Sequence, residues 1–78
     1  MSHHQLDARR LLCPLPVIRT QNCAKKLNPG DTLEVTCTDP GAESDIPAWC
    51  RINGHKLLEV RHDEAQDELV ITLEVGEE

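Results

Sequence analysis

Four stretches of this chain alternate apolar and polar residues, so each can bury one face of a strand and no more. Gln5 to Arg9 places Leu6 and Ala8 on one side and Asp7 and Arg9 on the other. Thr32 to Thr38 sets Leu33, Val35 and Cys37 against Glu34, Thr36 and Thr38. Lys56 to His62 is read with Leu58 and Val60 inward, and Glu68 to Val75 with Leu69, Ile71, Leu73 and Val75 inward. A sheet with one apolar face needs a cover on that face alone.

Two helices are available to supply it. Cys13-Pro14-Leu15-Pro16 runs into a helix-compatible segment, Val17 to Leu27, closed by Asn28-Pro29-Gly30-Asp31. Proline is favoured at the first helical position, where its missing N–H has no partner to lose. This predicts Pro14 as the first helical residue and Cys13 as the N-cap. At 100° per residue, Val17, Thr20, Ala24 and Leu27 form the buried stripe, with Cys23 at its edge. Leu15, Ile18, Arg19, Asn22 and Lys26 fall away from the core. A second helix is predicted from about Ser44 to Asn53, after the turn Asp39-Pro40-Gly41, with Pro47 in its first turn and Gly54 at its exit. The predicted order is βαβαββ. It describes a two-layer α/β sandwich, a four-stranded mixed sheet with two helices on one face, in a single domain over residues 1–78. Each helix is expected to make a right-handed crossover, and the last two strands a hairpin around the acidic loop Asp63 to Asp67.

With 78 residues, one Trp and no Phe or Tyr, the core must be small and aliphatic. Such a domain cannot both pack a core and enclose a deep substrate cavity. Chemistry belongs on its surface, which favours a carrier over an enzyme with a closed pocket. The formal charge of −6 is unevenly spread. Arg9, Arg10, Arg19, Lys25 and Lys26 precede residue 31 against Asp7 alone, and the remaining acids follow. The basic part surrounds Cys13, a distribution suited to oriented docking on a charged partner. No apolar run is long enough to span a membrane, and Met1-Ser2-His3-His4-Gln5 lacks the apolar core of an export signal. A cytoplasmic protein is expected.

Cytosolic thiols stay reduced, so the cysteines at 13, 23, 37 and 50 are not expected to form disulfides. Their spacing contains no zinc-ligand pair, so neither metal nor cofactor is expected. Cys37 alternates with Leu33 and Val35. Cys50 shares a helical face with Ile46 and Trp49, and Cys23 borders the first helix's stripe. All three read as packing residues. Cys13 differs. At an N-cap its sulfur would face the positive end of the helix dipole, worth about 0.3–1 kcal/mol in favour of the thiolate. The N–H of Leu15 would be its nearby donor, Pro16 having none, and Arg9 or Arg10 would add to the effect. A Cys-x-x-Cys oxidoreductase carries its resolving thiol where this chain has Pro16. A lone activated thiol can instead accept sulfur as a persulfide and pass it to another thiol. Leu15 and Ile18, exposed beside it, suggest a docking patch.

The pattern Leu6-Asp7-Ala8, Cys13-Pro14-Leu15-Pro16, Asn28-Pro29-Gly30-Asp31, Asp39-Pro40 and Asp45-Ile46-Pro47 resembles the TusA/SirA-like sulfur carriers over about residues 6–75. The resemblance implies a βαβαββ sandwich and a persulfide on Cys13. It implies a cysteine desulfurase or rhodanese-type sulfur donor and a downstream relay protein as acceptor, for tRNA 2-thiouridine formation or sulfur oxidation. Members have also been linked to molybdenum cofactor supply and to regulation. Two positions depart from the family pattern. Arg10 stands where members usually carry Gly, and the tail Gly76-Glu77-Glu78 is more acidic. Arg9, Arg10, Ile18, Arg19 and Lys26 are candidates for docking or for stabilising the persulfide anion. A monomer suits a carrier that must dock twice. A different class, a redox-regulatory or protein-interaction module with Cys13 as sensor thiol, uses the same residue without sulfur transfer. An RNA-binding domain would use the basic N-terminal half, but net negative charge and the lack of exposed aromatics weigh against direct nucleic-acid binding.

Overall fold

The computed structural model describes residues 2–76. The acidic residues at 77 and 78, and the first residue of the N-terminal segment, lie outside the described part. The elements follow the order β1 (His3–Ala8), α1 (Leu15–Ala24), β2 (Thr32–Cys37), α2 (Ala42–Asn53), β3 (Lys56–Asp63) and β4 (Glu68–Glu74). The sheet order is β1-β2-β4-β3. β1 pairs parallel to β2, whereas β2 and β3 each pair antiparallel to β4. The hairpin of β3 and β4 thus folds back so that β4, last in sequence, enters between β2 and β3. This is the two-layer mixed α/β sheet that the alternation predicts.

Register explains the layers. Residues directly opposite one another across a ladder share a face. Leu6, Val35 and Ile71 align across three strands, as do Ala8, Cys37 and Leu69. Ala24 of α1 and Ala42, Ile46, Trp49 and Cys50 of α2 join these residues in one apolar cluster. Pro16, Thr20 and Ala24 are buried on α1, with Val17, Cys23 and Leu27 packed at the margin. Thr20 satisfies its hydroxyl by donating to the Pro16 carbonyl at 2.7 Å. The opposite face of the sheet carries Gln5, Glu34 and Thr72 in one row and Asp7, Thr36 and Val70 in the next. It is largely polar and uncovered, and Val70 is its buried exception.

The third strand departs from expectation. Every residue of β3 is exposed except Asp63, which is half-buried. Leu58 and Val60 are not inward: they are 45% and 40% exposed. A register shift between Leu57 and Glu59 leaves Leu58 without a partner, and β3 lies at the sheet edge. A bulge moves the following residues out of simple alternation, which period-2 reading does not anticipate. Pro47 also differs from expectation. α2 begins at Ala42, so Pro47 sits inside the helix, where it removes the bond to the Glu43 carbonyl. Strand β1 starts earlier than expected, at His3, and ends at Ala8.

Gly54 ends α2 with φ 79°, and the His55 N–H closes the turn on the Cys50 carbonyl at 2.9 Å. His55 stacks on Trp49 at a centroid distance of 4.6 Å and accepts the Gly76 N–H at 2.9 Å. Gly76 passes so close to the Gly54 carbonyl that a Cβ would collide with it.

These burial differences set an expected outcome. Ile71→Ala, at a fully buried central position, costs about 2–5 kcal/mol. Val60→Ala on the exposed edge costs less than about 1 kcal/mol, since little apolar area leaves the core. Urea unfolding of the two variants against the parent measures both.

Candidate functional site

The two residues just beyond β2, Thr38 and Asp39, shape the turn that carries Cys13. Arg10 donates its N–H to Thr38 Oγ1 at 2.8 Å, and Cys13 donates its N–H to Asp39 Oδ2 at 2.8 Å. Asp39 also accepts the Gly41 N–H through Oδ1 at 3.4 Å, and its carbonyl accepts the Ala42 N–H at 3.1 Å. One acidic residue therefore fastens the turn before α1 to the start of α2. Ile46 is fully buried and anchors that first part of α2. This directs Asp45 back toward the turn, where Asp45 Oδ2 accepts a hydrogen bond from Cys13 Sγ at 2.9 Å.

Cys13 is exposed, as the sequence predicts, but it is not the N-cap. α1 begins at Leu15, Pro14 is the flanking residue, and no side chain caps the helix. The Leu15 N–H donates to the Leu12 carbonyl at 2.8 Å instead of to the sulfur. The expectation of a dipole-lowered thiol is therefore overturned. The Asp45 carboxylate, accepting the thiol's hydrogen bond, holds the Cys13 pKa above its ordinary value, and the negative charge of Asp39 adds to this. A carboxylate in direct hydrogen-bond contact outweighs a helix dipole whose effect fades within the first turn.

The arginines do not reverse the balance. Arg9 donates to Asp7 at 2.9 Å and to Glu68 at 3.2 Å, which commits its guanidinium to carboxylates of β1 and β4. Arg10 lines a shallow cleft with Asp7, Gln66 and Glu68, on a wall that does not include Cys13. Its backbone adopts φ 66°, a left-handed conformation that glycine occupies without penalty. The resemblance noted in the sequence leads one to expect Gly here, and Arg10 holds the left-handed conformation with a side chain in place.

Leu15 and Ile18 lie three residues apart on one face of α1, 45% and 44% exposed, and Leu12 just before the helix is 73% exposed. Arg19 is exposed on the same helix, but α1 ends at Ala24, short of the expected Leu27, so Lys26 is exposed in the turn beyond it. Pro16 is buried and works as a core residue. Leu12, Asp39 and Asp45 are members of the site that sequence reasoning did not assign to it. Asp39 and Asp45 lie 26 and 32 residues from Cys13 along the chain. Their Asp-Pro and Asp-Ile-Pro segments marked them, but as turn and helix-start signals. The other thiols match their packing role. Cys23 is half-buried, while Cys37 and Cys50 are buried, their thiols pushed up to about 11 by desolvation. Among the described residues no group of His, Cys, Asp or Glu is arranged to hold a metal ion, and no helix is long and apolar enough to cross a membrane.

A small one-sided α/β sheet presenting a single exposed thiol at a helix entrance defines a surface-acting thiol protein. Residues 4–75 match the family described as sulfurtransferase TusA, and the chain belongs to that family. It is 48% identical over 54 residues to a putative sulfur carrier protein, YrkI, of Bacillus subtilis, an alignment covering 69% of this chain and 72% of that one. It is 43% identical over 58 residues to the sulfur carrier protein TusA of Pseudomonas aeruginosa, covering 74% and 73% of the two chains. The crystal structure of a SirA-like protein from Desulfitobacterium hafniense superposes with a TM-score of 0.82 over 95% of this chain and 99% of that one. At 21% identity, that likeness speaks for the fold.

Three outcomes follow from the turn. Alkylation of Cys13 by iodoacetamide rises with pH around a midpoint above that of free cysteine, because the thiolate is the reacting form and Asp45 disfavours it. Peptide mapping at each pH isolates this site from the other cysteines. Arg10→Gly raises the urea midpoint. The left-handed conformation costs a side-chain-bearing residue about 1–2 kcal/mol, against about 0.5–1 kcal/mol for the extra freedom of glycine in the unfolded chain. Arg10→Val lowers the midpoint, since a β-branched residue tolerates φ 66° less well.

Proposed function

We propose that this protein carries sulfane sulfur as a persulfide on Cys13 and relays it to the thiol of an acceptor protein. The observation that carries the reading is the exposure of Cys13 on a turn held by Asp39, in a member of a sulfurtransferase family whose other three thiols are wholly or partly buried. The Cys13 thiolate attacks the outer sulfur of a donor persulfide. A bond forms between Cys13 Sγ and that sulfur, the donor's S–S bond breaks, and the donor cysteine leaves as a thiolate that takes up a proton. Discharge repeats the step with the acceptor thiol as attacker and Cys13 as leaving group. No net oxidation occurs, so a resolving cysteine at the Pro16 position is not required, and the cargo sulfur is the only non-protein atom involved.

The donor is a cysteine desulfurase or a rhodanese-type protein, and the acceptor is a downstream relay protein serving tRNA 2-thiouridine formation or sulfur oxidation. Leu12, Leu15 and Ile18 give these partners an apolar landing beside the sulfur, with Arg19 and Lys26 orienting them by charge. One exposed face must serve both partners in turn, which favours a cytoplasmic monomer acting as one domain, with no direct contact to nucleic acid.

Incubation with a cysteine desulfurase and cysteine, followed by intact-mass measurement, is expected to add one sulfur atom. Cys13→Ala abolishes the gain, while Cys23→Ala, Cys37→Ala and Cys50→Ala retain it. A parent protein that never gains sulfur, or a gain that persists in Cys13→Ala, refutes the assignment. Reversible oxidation of Cys13 that alters partner binding without sulfur transfer would favour the sensor reading.

A further inference from the structure

The Asp45-Ile46-Pro47 segment is the one motif that the sulfur-transfer chemistry has not yet used. Its acidic side chain is also the group in closest polar contact with the reacting atom, since Cys13 Sγ donates to Asp45 Oδ2 at 2.9 Å. The placement is built into the fold. Asp45 sits in the first turn of α2, half-buried, with the adjoining Ile46 fully buried and Asp39 fixing the turn from the other side. The charges that act on the sulfur from the elements around it are the carboxylates of Asp45, from α2, and Asp39, from the segment after β2. The nearest basic side chain upstream whose contacts are defined, Arg9, is held by Asp7 and Glu68.

Resting on the persulfide-carrier reading, we propose that Asp45 acts directly on Cys13 and biases it toward giving up its sulfur, by hydrogen-bonding the empty thiol and repelling the loaded persulfide anion. The two states differ in what they offer the carboxylate. The empty Cys13 offers an S–H donor, which Asp45 accepts. The loaded Cys13 ends in a terminal sulfur that is readily deprotonated and then offers only negative charge. The carboxylate thus stabilises the product of discharge and destabilises its reactant, which a carrier that must hand on its cargo requires. In loading, Asp45 is placed to receive the Cys13 proton as Sγ attacks the donor's outer sulfur, and the departing donor thiolate takes that proton up. In discharge, the attacking acceptor thiol supplies the proton that ends on Cys13 Sγ, and the Sγ–H···Oδ2 bond forms again. Atoms and charge balance in both directions. The same contact protects the empty carrier, because a thiol held protonated is slow toward oxidants and alkylating agents.

The experiment compares the parent with Asp45→Asn, which keeps size and hydrogen-bonding capacity but removes the charge, and with Asp45→Glu, which restores it. Glu43→Gln makes the same change of charge in the same turn of α2, on an exposed residue outside the site. Each protein is read in two ways. The pH profile of Cys13 alkylation is measured on the empty protein and needs no sulfur transfer. The loaded fraction at equilibrium between carrier and a glutathione/glutathione-persulfide mixture is measured by intact mass.

Asp45→Asn is expected to move the alkylation midpoint to lower pH and to raise the loaded fraction. Asp45→Glu is expected to return both toward the parent, and Glu43→Gln to leave both unchanged. The proposal is overturned if Asp45→Asn shifts neither readout, if the loaded fraction falls, or if Glu43→Gln produces the same shifts. A parent that cannot be loaded defeats the carrier reading and this inference with it, and a normal alkylation profile would then show that misfolding is not the cause. Circular dichroism of each variant separates a local charge effect from loss of fold.

Discussion

The turn that displays Cys13 has no regular structure of its own, and two hydrogen bonds from the end of β2 give it a fixed shape. Thr38 receives the Arg10 N–H and Asp39 receives the Cys13 N–H. β2 can serve as the anchor because it lies between β1 and β4, with Leu33, Val35 and Cys37 fully buried beneath the helices. A reacting atom on an exposed turn is only as well placed as its backbone. Here that backbone is tied to the end of a central strand whose inward residues are fully buried. Asp39 also caps the path into α2, so a single carboxylate sets the distance between the sulfur and the helix that carries Asp45.

The electrostatic character of the site runs against that expected of a cysteine at a helix entrance. Such thiols are commonly acidified, and the sequence places Cys13 where that would happen. The helix starts one residue later than the N-cap assignment requires, however, and two prolines remove backbone donors at its entrance. Carboxylates occupy the space around the sulfur instead. A low thiol pKa raises the thiolate population but weakens the nucleophile. A sulfur kept protonated until a partner docks trades resting reactivity for selectivity, which fits a protein that meets many thiols and should exchange with few.

Much of this arrangement was legible in the residues. The alternation of Leu33, Val35 and Cys37 and of Leu69, Ile71 and Leu73 marked strands with one covered face, and the Cys13 motif marked a helix entrance. Local periodicity failed at β3, where the bulge at Leu58 breaks the phase and the edge position leaves Val60 uncovered. It failed again at Pro47, because a proline inside a helix is indistinguishable by pattern from one at its start. The Asp45 contact was out of reach for a different reason. It joins residues 32 apart, and only the packing of α2 against the turn brings them together. Spacing along one chain carries no direct signal for such a pair.

The close approach of Gly76 to Gly54 fixes where the main chain stands after the last strand. The β2–β4 ladder runs from the pair Thr32 and Glu74 at that pole to Cys37 and Leu69 at the pole nearest the sulfur, a length of about 17 Å at the usual rise per residue. A further domain, a tether or an affinity handle joined there would depart from the far end of the molecule and leave the approach to Cys13 unobstructed.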